Sequence, residues 1–177
     1  MRYHNITKDD MLNGEGLRTV LWVAGCSHHC PQCHNPVAGC THKCKGCHNP
    51  VTWDIEGGIP FDDAAKEELF EELKKDYVSG VTFSGGDPLH LENREEIGAL
   101  AKEIREKFPD KTIWLYTGYE WEEICHLPFL SNIDVIVDGK FKIEEKDNNL
   151  HWKGSANQRV IDVKASLRAG EVRLYQE

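Results

Sequence analysis

Short apolar runs alternate with longer amphipathic stretches along the chain, which predicts strands separated by helices. Four runs are rich in β-branched and aromatic residues and predict buried strands, at residues 18–24, 81–83, 111–116 and 133–137. Apolar residues at helical spacing predict helices over residues 62–77 and 92–108 and a short helix over residues 121–125. Residues 1–17 are polar, and Asn13-Gly14-Glu15-Gly16 predicts a turn.

This alternation is typical of an α/β fold with a mostly parallel sheet and crossover helices. Four strands are too few to close an eight-stranded barrel, so we expect an open, partial (β/α) barrel. The tail adds a predicted polar turn at residues 152–155 and two short strands, at 158–163 and 171–174. No linker interrupts the pattern, and we expect a single domain over residues 1–177.

Charge and apolar content narrow the class of protein. The net charge of −9 disfavours general nucleic-acid binding, which requires a basic surface. No apolar run approaches the roughly 20 residues of a membrane-spanning helix, and the chain does not begin with a signal-peptide pattern. We therefore expect a cytoplasmic protein whose thiols stay reduced, so that clustered cysteines bind metal rather than form disulfides.

Six of the seven cysteines lie within residues 25–54, where the sequence repeats itself with an offset of 14 residues. The repeat contains two triads with C-x3-C-x2-C spacing: Cys26, Cys30 and Cys33, and then Cys40, Cys44 and Cys47. Each triad is followed by His-Asn-Pro-Val. The stretch begins where the first predicted strand ends, which is the usual position of a site in an α/β sheet.

Three thiolates on one short loop indicate an iron–sulfur site. Ordinary [4Fe–4S] clusters are held by four cysteines. A triad holds three irons and leaves the fourth open to a substrate. The spacing therefore indicates a site for chemistry rather than for electron storage alone.

A second candidate segment, Ser84-Gly85-Gly86-Asp87-Pro88, follows the second predicted strand. Glycine allows the backbone to approach a ligand closely and to adopt a positive φ. The same residues also suit a plain turn between a strand and a helix. The cysteine triad upstream favours contact with a ligand.

The order of strand, cysteine loop, helix, strand and Gly-Gly-acid-Pro resembles the radical S-adenosylmethionine superfamily. Within it, the chain resembles the glycyl-radical-enzyme activases, and most closely the activating proteins of anaerobic ribonucleoside-triphosphate reductase. The matching segments run in order over nearly the whole chain, at residues 13–18, 47–54, 84–89, 114–119, 137–141 and 152–159.

The resemblance implies one [4Fe–4S] cluster held by a cysteine triad, with S-adenosyl-L-methionine bound at the open iron. One electron cleaves the sulfonium C–S bond, and the resulting 5′-deoxyadenosyl radical takes a hydrogen atom from a glycine of the large reductase subunit. A reduced flavodoxin-type protein is the implied electron donor. Cluster and cofactor carry this chemistry, so no catalytic side chain is predicted. The implied cofactor-binding residues are Gln32, Cys33, His34, Ser84, Gly85, Gly86 and Asp87.

The duplication departs from the family pattern, which has one triad. Deletion of residues 34–47 or of residues 26–39 restores that pattern, so spacing does not identify the triad in use. We favour Cys26, Cys30 and Cys33, because this copy continues directly from a strand and an insert after the triad disturbs its anchor less than one before it. The second triad is then a spare, a second cluster site or part of a zinc site.

Two interpretations from other classes of protein stay open. The paired C-x2-C elements Cys30/Cys33 and Cys44/Cys47 suit a structural zinc ion, which predicts a non-catalytic zinc-binding module. The other interpretation is a ferredoxin-like electron carrier. Neither explains the Gly-Gly-Asp-Pro segment or the matches that follow it.

Three further positions have both a functional and a structural interpretation, and Cys125 has a structural one. Thr117-Gly118-Tyr119 and Asp138-Gly139-Lys140 follow predicted strands, where ligand contacts and ordinary turns are both common. Arg159 suits binding of a carboxylate ligand or an ion pair within the chain. Cys125 is remote from the triads, and we expect a small buried apolar residue.

Overall fold

The computed structural model describes residues 1–25, 28–31, 42–43, 52 and 54–176, with the backbone alone for 28–31 and 42–43. Its strands are, in chain order, β1 (Arg2–Asp10), β2 (Arg18–Val23), β3 (His28–Pro31), β4 (His42–Lys43), β5 (Ile59–Pro60), β6 (Gly80–Gly85), β7 (Thr112–Tyr116), β8 (Val135–Asp138) and β9 (Arg159–Asp162). Its helices are α1 (Asp63–Leu73), α2 (Leu91–Lys107), α3 (Trp121–Ile124) and α4 (Val163–Ala169), with short 3-10 turns at Pro128–Asn132 and Ile143–Glu145. Over these described ranges, no helix is long and apolar enough to cross a bilayer.

Seven strands form one open sheet in the order β5-β1-β2-β6-β7-β8-β9. Its four central strands, β2, β6, β7 and β8, are parallel, and the flanking strands β1, β5 and β9 are antiparallel to their neighbours. The prediction of an α/β fold with a parallel sheet is confirmed for this core. The described sheet is not closed, because β5 and β9 remain at its edges.

The two faces of the sheet are covered differently, because side chains alternate along each strand. Helices α1 and α2 cover one face and bury their apolar stripes, which include Leu69 and Ile104, against Phe83 and Leu115. On the opposite face Trp114 is buried with Val135 and Val137. Trp152 and Tyr175 pack edge-on against Trp114 from the C-terminal part of the chain.

Several elements differ from the sequence prediction. Strand β1 was not predicted, because only one of its faces is buried, at Tyr3 and Ile6, and its other residues are mostly polar. Helix α1 ends at Leu73 rather than near residue 77, and Tyr77 is exposed. Helix α4 was also missed, and the expected last strand is a single bridge between Ile161 and Leu174.

The two copies of the cysteine repeat contribute one short strand each. Strands β3 and β4 pair in parallel, with His28 opposite His42. These two histidines occupy equivalent positions in the repeat, 14 residues apart. The pairing therefore matches the duplication at this position, whereas the other pair, Pro31 with Lys43, is offset by 12 residues after a register shift.

Arg18 fixes the amino ends of the central strands from a fully buried position. Its guanidinium donates five hydrogen bonds, to the hydroxyls of Thr82 (2.8 Å) and Thr112 (2.9 Å) and to the backbone oxygens of Glu15 (2.8 Å), Val81 (2.8 Å) and Thr112 (3.0 Å). It also lies 5.4 Å from the centre of the Trp114 ring. Burial lowers the pKa of Arg18 to about 10, and the group stays charged at neutral pH. The Asn13–Arg18 motif thus has a structural role at the end of the sheet opposite the cysteines.

We expect Arg18→Met to lower the free energy of unfolding by about 3 kcal/mol, because each buried hydrogen-bonding group left unpaired costs about 1–3 kcal/mol. Arg18→Lys should recover little of this, since an ammonium lacks the planar fork of donors. Urea denaturation measures the change. The exposed Arg168→Met is the control and should stay within about 0.5 kcal/mol of wild type. Equal losses at the two positions would contradict this role for Arg18.

Candidate functional site

The carboxyl ends of the parallel strands bring the predicted site segments together. Strand β2 leads into Gly25, immediately before the cysteine loop. Strand β6 leads into Gly86 and Asp87, and β7 leads into Thr117 and Gly118. Ligands in open α/β sheets bind at this edge, and the sequence prediction placed the site there for the same reason.

Backbone hydrogen bonds join these segments at the base of the cysteine loop. The Gly86 amide donates to the Val23 oxygen at 2.9 Å, and the Asp87 amide donates to the Gly25 oxygen at 2.7 Å. The Gly25 amide donates to the Thr52 oxygen at 2.8 Å. Gly25 and Thr52 flank the segment that carries both triads, so this segment leaves and rejoins the sheet at one point.

This close backbone contact explains the two glycines of the Gly-Gly-Asp-Pro segment. A Cβ atom on Gly86 would lie 2.3 Å from the Gly25 oxygen and 2.7 Å from the Thr52 oxygen. A Cβ atom on Gly85, whose φ is +111°, would lie 2.5 Å from the Val23 oxygen. The glycines were predicted to allow approach to a ligand. The structure shows that they allow approach between protein backbones.

Asp87 is a buried carboxylate that ties β6 to β7. It accepts hydrogen bonds from the Thr117 hydroxyl (2.9 Å), the Gly118 amide (3.0 Å) and the Leu89 amide (2.8 Å). Burial raises the pKa of Asp87 to about 6, and these hydrogen bonds oppose the shift without cancelling it. The predicted segments at Asp87 and at Thr117 and Gly118 are therefore in direct contact.

Asn93 links β2 to the loop after β6 from the first turn of α2. Its side-chain amide donates to the Ala24 oxygen at 2.8 Å and to the Asp87 oxygen at 3.2 Å. The residue is 1% exposed. Sequence reasoning missed this residue. Its spacing was a signal, since Asn93 lies on the same buried stripe of α2 as Ile97 and Ile104.

Arg159 forms the ion pair within the chain that was one of its two interpretations. Its Nε atom donates to the Asp138 carboxylate at 3.1 Å, and its Nη2 atom donates to Glu122 at 2.8 Å. Asp138 also accepts from the Trp121 amide at 2.8 Å. These carboxylates raise the pKa of Arg159. The network holds the carboxyl end of β8 against α3.

The later matching segment fixes the loop that follows β8. Gln158 accepts from the Gly154 amide at 2.9 Å and donates to the Gly139 oxygen at 3.0 Å. Asn157 donates to the Lys140 oxygen at 2.8 Å. Residues 154–158 therefore shape the loop at Asp138-Gly139-Lys140 through side-chain contacts to its backbone.

Several predicted site residues lie outside the described part of the chain. These are Cys26, Gln32, Cys33, His34, Cys40, Cys44 and Cys47. Cys30 is described by its backbone alone, in β3. Ser84 is buried and pairs across the sheet with Trp22. Among the residues whose side chains are described, no group of three or more His, Cys, Asp or Glu side chains suits a metal ion.

The expectation for Cys125 was wrong. It is exposed at the end of α3 rather than buried. Trp121 and Ile124 supply the buried positions of this short helix. A helix of one turn buries one stripe, which these two residues already fill.

A family model described as a 4Fe-4S single cluster domain matches residues 12–38 and 36–161 of the chain. The first match includes Cys26, Cys30 and Cys33. The second match begins before Cys40, so it includes the second triad together with strands β5 to β8 and most of β9. Each match therefore contains one copy of the repeat.

The chain is also similar to proteins named anaerobic ribonucleoside-triphosphate reductase-activating protein. It is 42% identical over 160 residues to the one from Enterobacteria phage T4, with 90% of this chain and 93% of the relative covered. It is 38% identical over 164 residues to the one from Escherichia coli (strain K12), with 90% and 97% covered. The one from Haemophilus influenzae is 39% identical over 167 residues, with 90% and 97% covered.

We expect Gly86→Ala to lower the free energy of unfolding by about 3 kcal/mol, because the added methyl group collides with backbone atoms that have no room to move. The iron content after anaerobic reconstitution should fall in parallel, because the base of the cysteine loop is displaced. Gly170→Ala is the matched control. Its φ is +71° with open space around it, so it should cost about 1–2 kcal/mol and leave iron content unchanged. Wild-type iron content and stability in Gly86→Ala would refute the contact.

Asp87 should make stability depend on pH in a defined direction. Its folded-state pKa of about 6 lies above the ordinary value of 3.8, so the folded protein holds the proton more tightly between these values. The contribution is complete below pH 3.8 and is lost as the pH rises through about 6, with a total of about 3 kcal/mol.

Comparison with Asp87→Asn, which does not titrate, isolates this group from the other carboxylates. The unfolding free energy of wild type minus that of Asp87→Asn should decrease as the pH rises through this window. Urea denaturation at a series of pH values measures it. A difference that stays constant with pH would show that Asp87 has an ordinary pKa.

Proposed function

The chain belongs to the family of anaerobic ribonucleoside-triphosphate reductase-activating proteins, and from this we propose that it activates an anaerobic ribonucleoside-triphosphate reductase. The observation that carries the proposal is the anchored cysteine loop at the carboxyl edge of a parallel sheet, directly beside the Gly-Gly-Asp-Pro segment. Similarity to the relatives covers 90% of the chain, so it extends well beyond the cysteines.

We further propose that the protein is a radical S-adenosylmethionine enzyme. When bound, a [4Fe–4S] cluster and S-adenosyl-L-methionine supply one-electron cleavage of the sulfonium C–S bond, which yields methionine and a 5′-deoxyadenosyl radical that takes a hydrogen atom from a reductase glycine. The chain itself binds and orients these groups. We interpret the open sheet as the partial barrel of this superfamily, formed by one domain.

The residues present suit such a cluster. Three thiolates at C-x3-C-x2-C spacing suit an iron–sulfur cluster with one open iron. The start of their loop is held by the Gly25 oxygen and amide, both hydrogen-bonded to backbone. A fixed loop base suits a cluster that has to present one iron in a constant direction.

The arrangement of Asp87 indicates how its segment would meet the cofactor. The carboxylate is buried and accepts hydrogen bonds from Thr117, Gly118 and Leu89. We therefore propose that Ser84, Gly85, Gly86 and Asp87 contact S-adenosyl-L-methionine through backbone groups. Gln32, Cys33 and His34 are proposed as the contacts from the cysteine loop.

We propose that Cys26, Cys30 and Cys33 hold the cluster, with Cys40, Cys44 and Cys47 as the alternative triad. Cys26 directly follows Gly25, whose oxygen accepts from Asp87 and whose amide donates to Thr52. The second triad has an anchor at Thr52 alone, five residues after Cys47. The first triad is thus adjacent to the segment proposed to bind the cofactor.

The proposed partners follow from the reaction. The target glycine belongs to the large subunit of the reductase and has to enter the site on an extended segment. The electron comes from a one-electron donor of the flavodoxin type. Both partners place the proposed reaction in the cytoplasm.

Anaerobic reconstitution of three forms tests the proposal: wild type, the triple variant Cys26→Ala/Cys30→Ala/Cys33→Ala and the triple variant Cys40→Ala/Cys44→Ala/Cys47→Ala. We expect wild type to bind iron and to cleave S-adenosyl-L-methionine when reduced. The second-triad variant should retain this cleavage, and the first-triad variant should lose it because no open iron is held beside residues 84–87.

The outcomes separate the parts of the proposal. Cleavage that survives loss of the first triad and disappears with the second assigns the cluster to Cys40, Cys44 and Cys47. A colourless wild-type protein with one tightly bound zinc and no cleavage would establish the zinc module instead. Cleavage without formation of a glycyl radical on added reductase would refute the proposed partner.

A further inference from the structure

Two loops have to keep a fixed relation for the proposed reaction. The cysteine loop begins after Ala24 and Gly25, and the proposed cofactor segment is residues 84–87. Their separation would set where a cluster held by the cysteine loop lies relative to a cofactor held by residues 84–87. Backbone contacts at Gly86 and Asp87 hold the two loops on one side.

The Asn93 side chain joins the same two loops from the other side. Its Nδ2 atom donates to the oxygen of Ala24, one residue before Gly25, and to the oxygen of Asp87. An amide nitrogen facing two carbonyl oxygens fixes the orientation of the group, because its own oxygen would be repelled there. The side chain is buried at the start of α2, so the whole helix backs this contact.

The oxygen of the same side-chain amide differs from the nitrogen in its hydrogen bonding. Among the described residues, the Asn93 Oδ1 atom has no hydrogen-bond partner, although it is shielded from solvent. Most buried side-chain polar atoms have at least one hydrogen-bond partner. Asn93 is thus placed by its Nδ2 contacts to the two loops rather than by a complete local network.

We infer that Asn93 is a positioning residue, which holds the start of the cysteine loop against the segment that binds S-adenosyl-L-methionine. This inference rests on the proposed function. In this inference the residue acts through the backbone oxygens of Ala24 and Asp87. Residues that orient the ligands of a metal site typically change affinity or activity by about 10–100-fold when replaced.

Two variants remove the contact in different ways. Asn93→Leu keeps a similar volume and leaves the two backbone oxygens without their donor. Asn93→Asp keeps the shape and places a carboxylate against them. The matched control is Leu100→Ala, which removes a buried side chain from the same helix, 5% exposed, without touching either loop.

The measurement is the electron paramagnetic resonance spectrum of the reduced, reconstituted proteins as S-adenosyl-L-methionine is added. We expect all forms to bind iron to the wild-type level. The concentration of S-adenosyl-L-methionine that gives half of the spectral change should rise about tenfold in both Asn93 variants. Leu100→Ala should lower the melting temperature at least as much and keep the wild-type concentration.

Each outcome is decisive. Asn93 variants that follow Leu100→Ala, with lower stability and an unchanged response to the cofactor, would overturn the inference and make Asn93 a structural residue. A wild-type protein that shows no spectral change and no cleavage would instead refute the proposed function. A rise in the required concentration in the Asn93 variants alone supports the positioning role.

Discussion

The site depends on one constraint, which is the close approach of two backbones at the carboxyl ends of β2 and β6. The Gly25 oxygen accepts from the Asp87 amide, and the Gly86 amide donates to the Val23 oxygen. Any side chain at Gly86 would overlap the backbone of Gly25 and Thr52. Because this contact admits glycine alone, it fixes where the cysteine loop starts, where it ends and which segment lies beside it.

Two buried charges lie at opposite ends of the same strands. Arg18 binds backbone oxygens and threonine hydroxyls at the amino end, and Asp87 accepts from amides and a threonine hydroxyl at the carboxyl end. Burial favours the neutral form of both groups, so it lowers the pKa of Arg18 and raises the pKa of Asp87. Burying a charge is costly in itself, so each of these two groups depends on the hydrogen bonds that it makes between neighbouring strands.

Sequence patterns predicted the central strands and both long helices because these elements bury regular apolar stripes. Strand β1 was missed for the opposite reason, since one apolar face among polar neighbours gives a weak signal. The candidate site segments follow the ends of β2, β6 and β7, as the sequence pattern predicted. Their contacts were not predictable: Asn93 and Thr52 act on residues far away in sequence, and only the folded chain shows which backbone oxygen each one meets.

The anchoring of the cysteine loop at Gly25 and Thr52 has a consequence for the history of the gene. Gly25 is matched by Gly39 in the second copy, and Thr52 follows that copy, so deletion of residues 26–39 or of residues 34–47 leaves both anchors in the sequence. A tandem repeat of this kind arises and disappears by unequal recombination, and here neither event alters the scaffold. With the cluster on the first triad, as proposed, the second triad would be free to diverge under selection of its own.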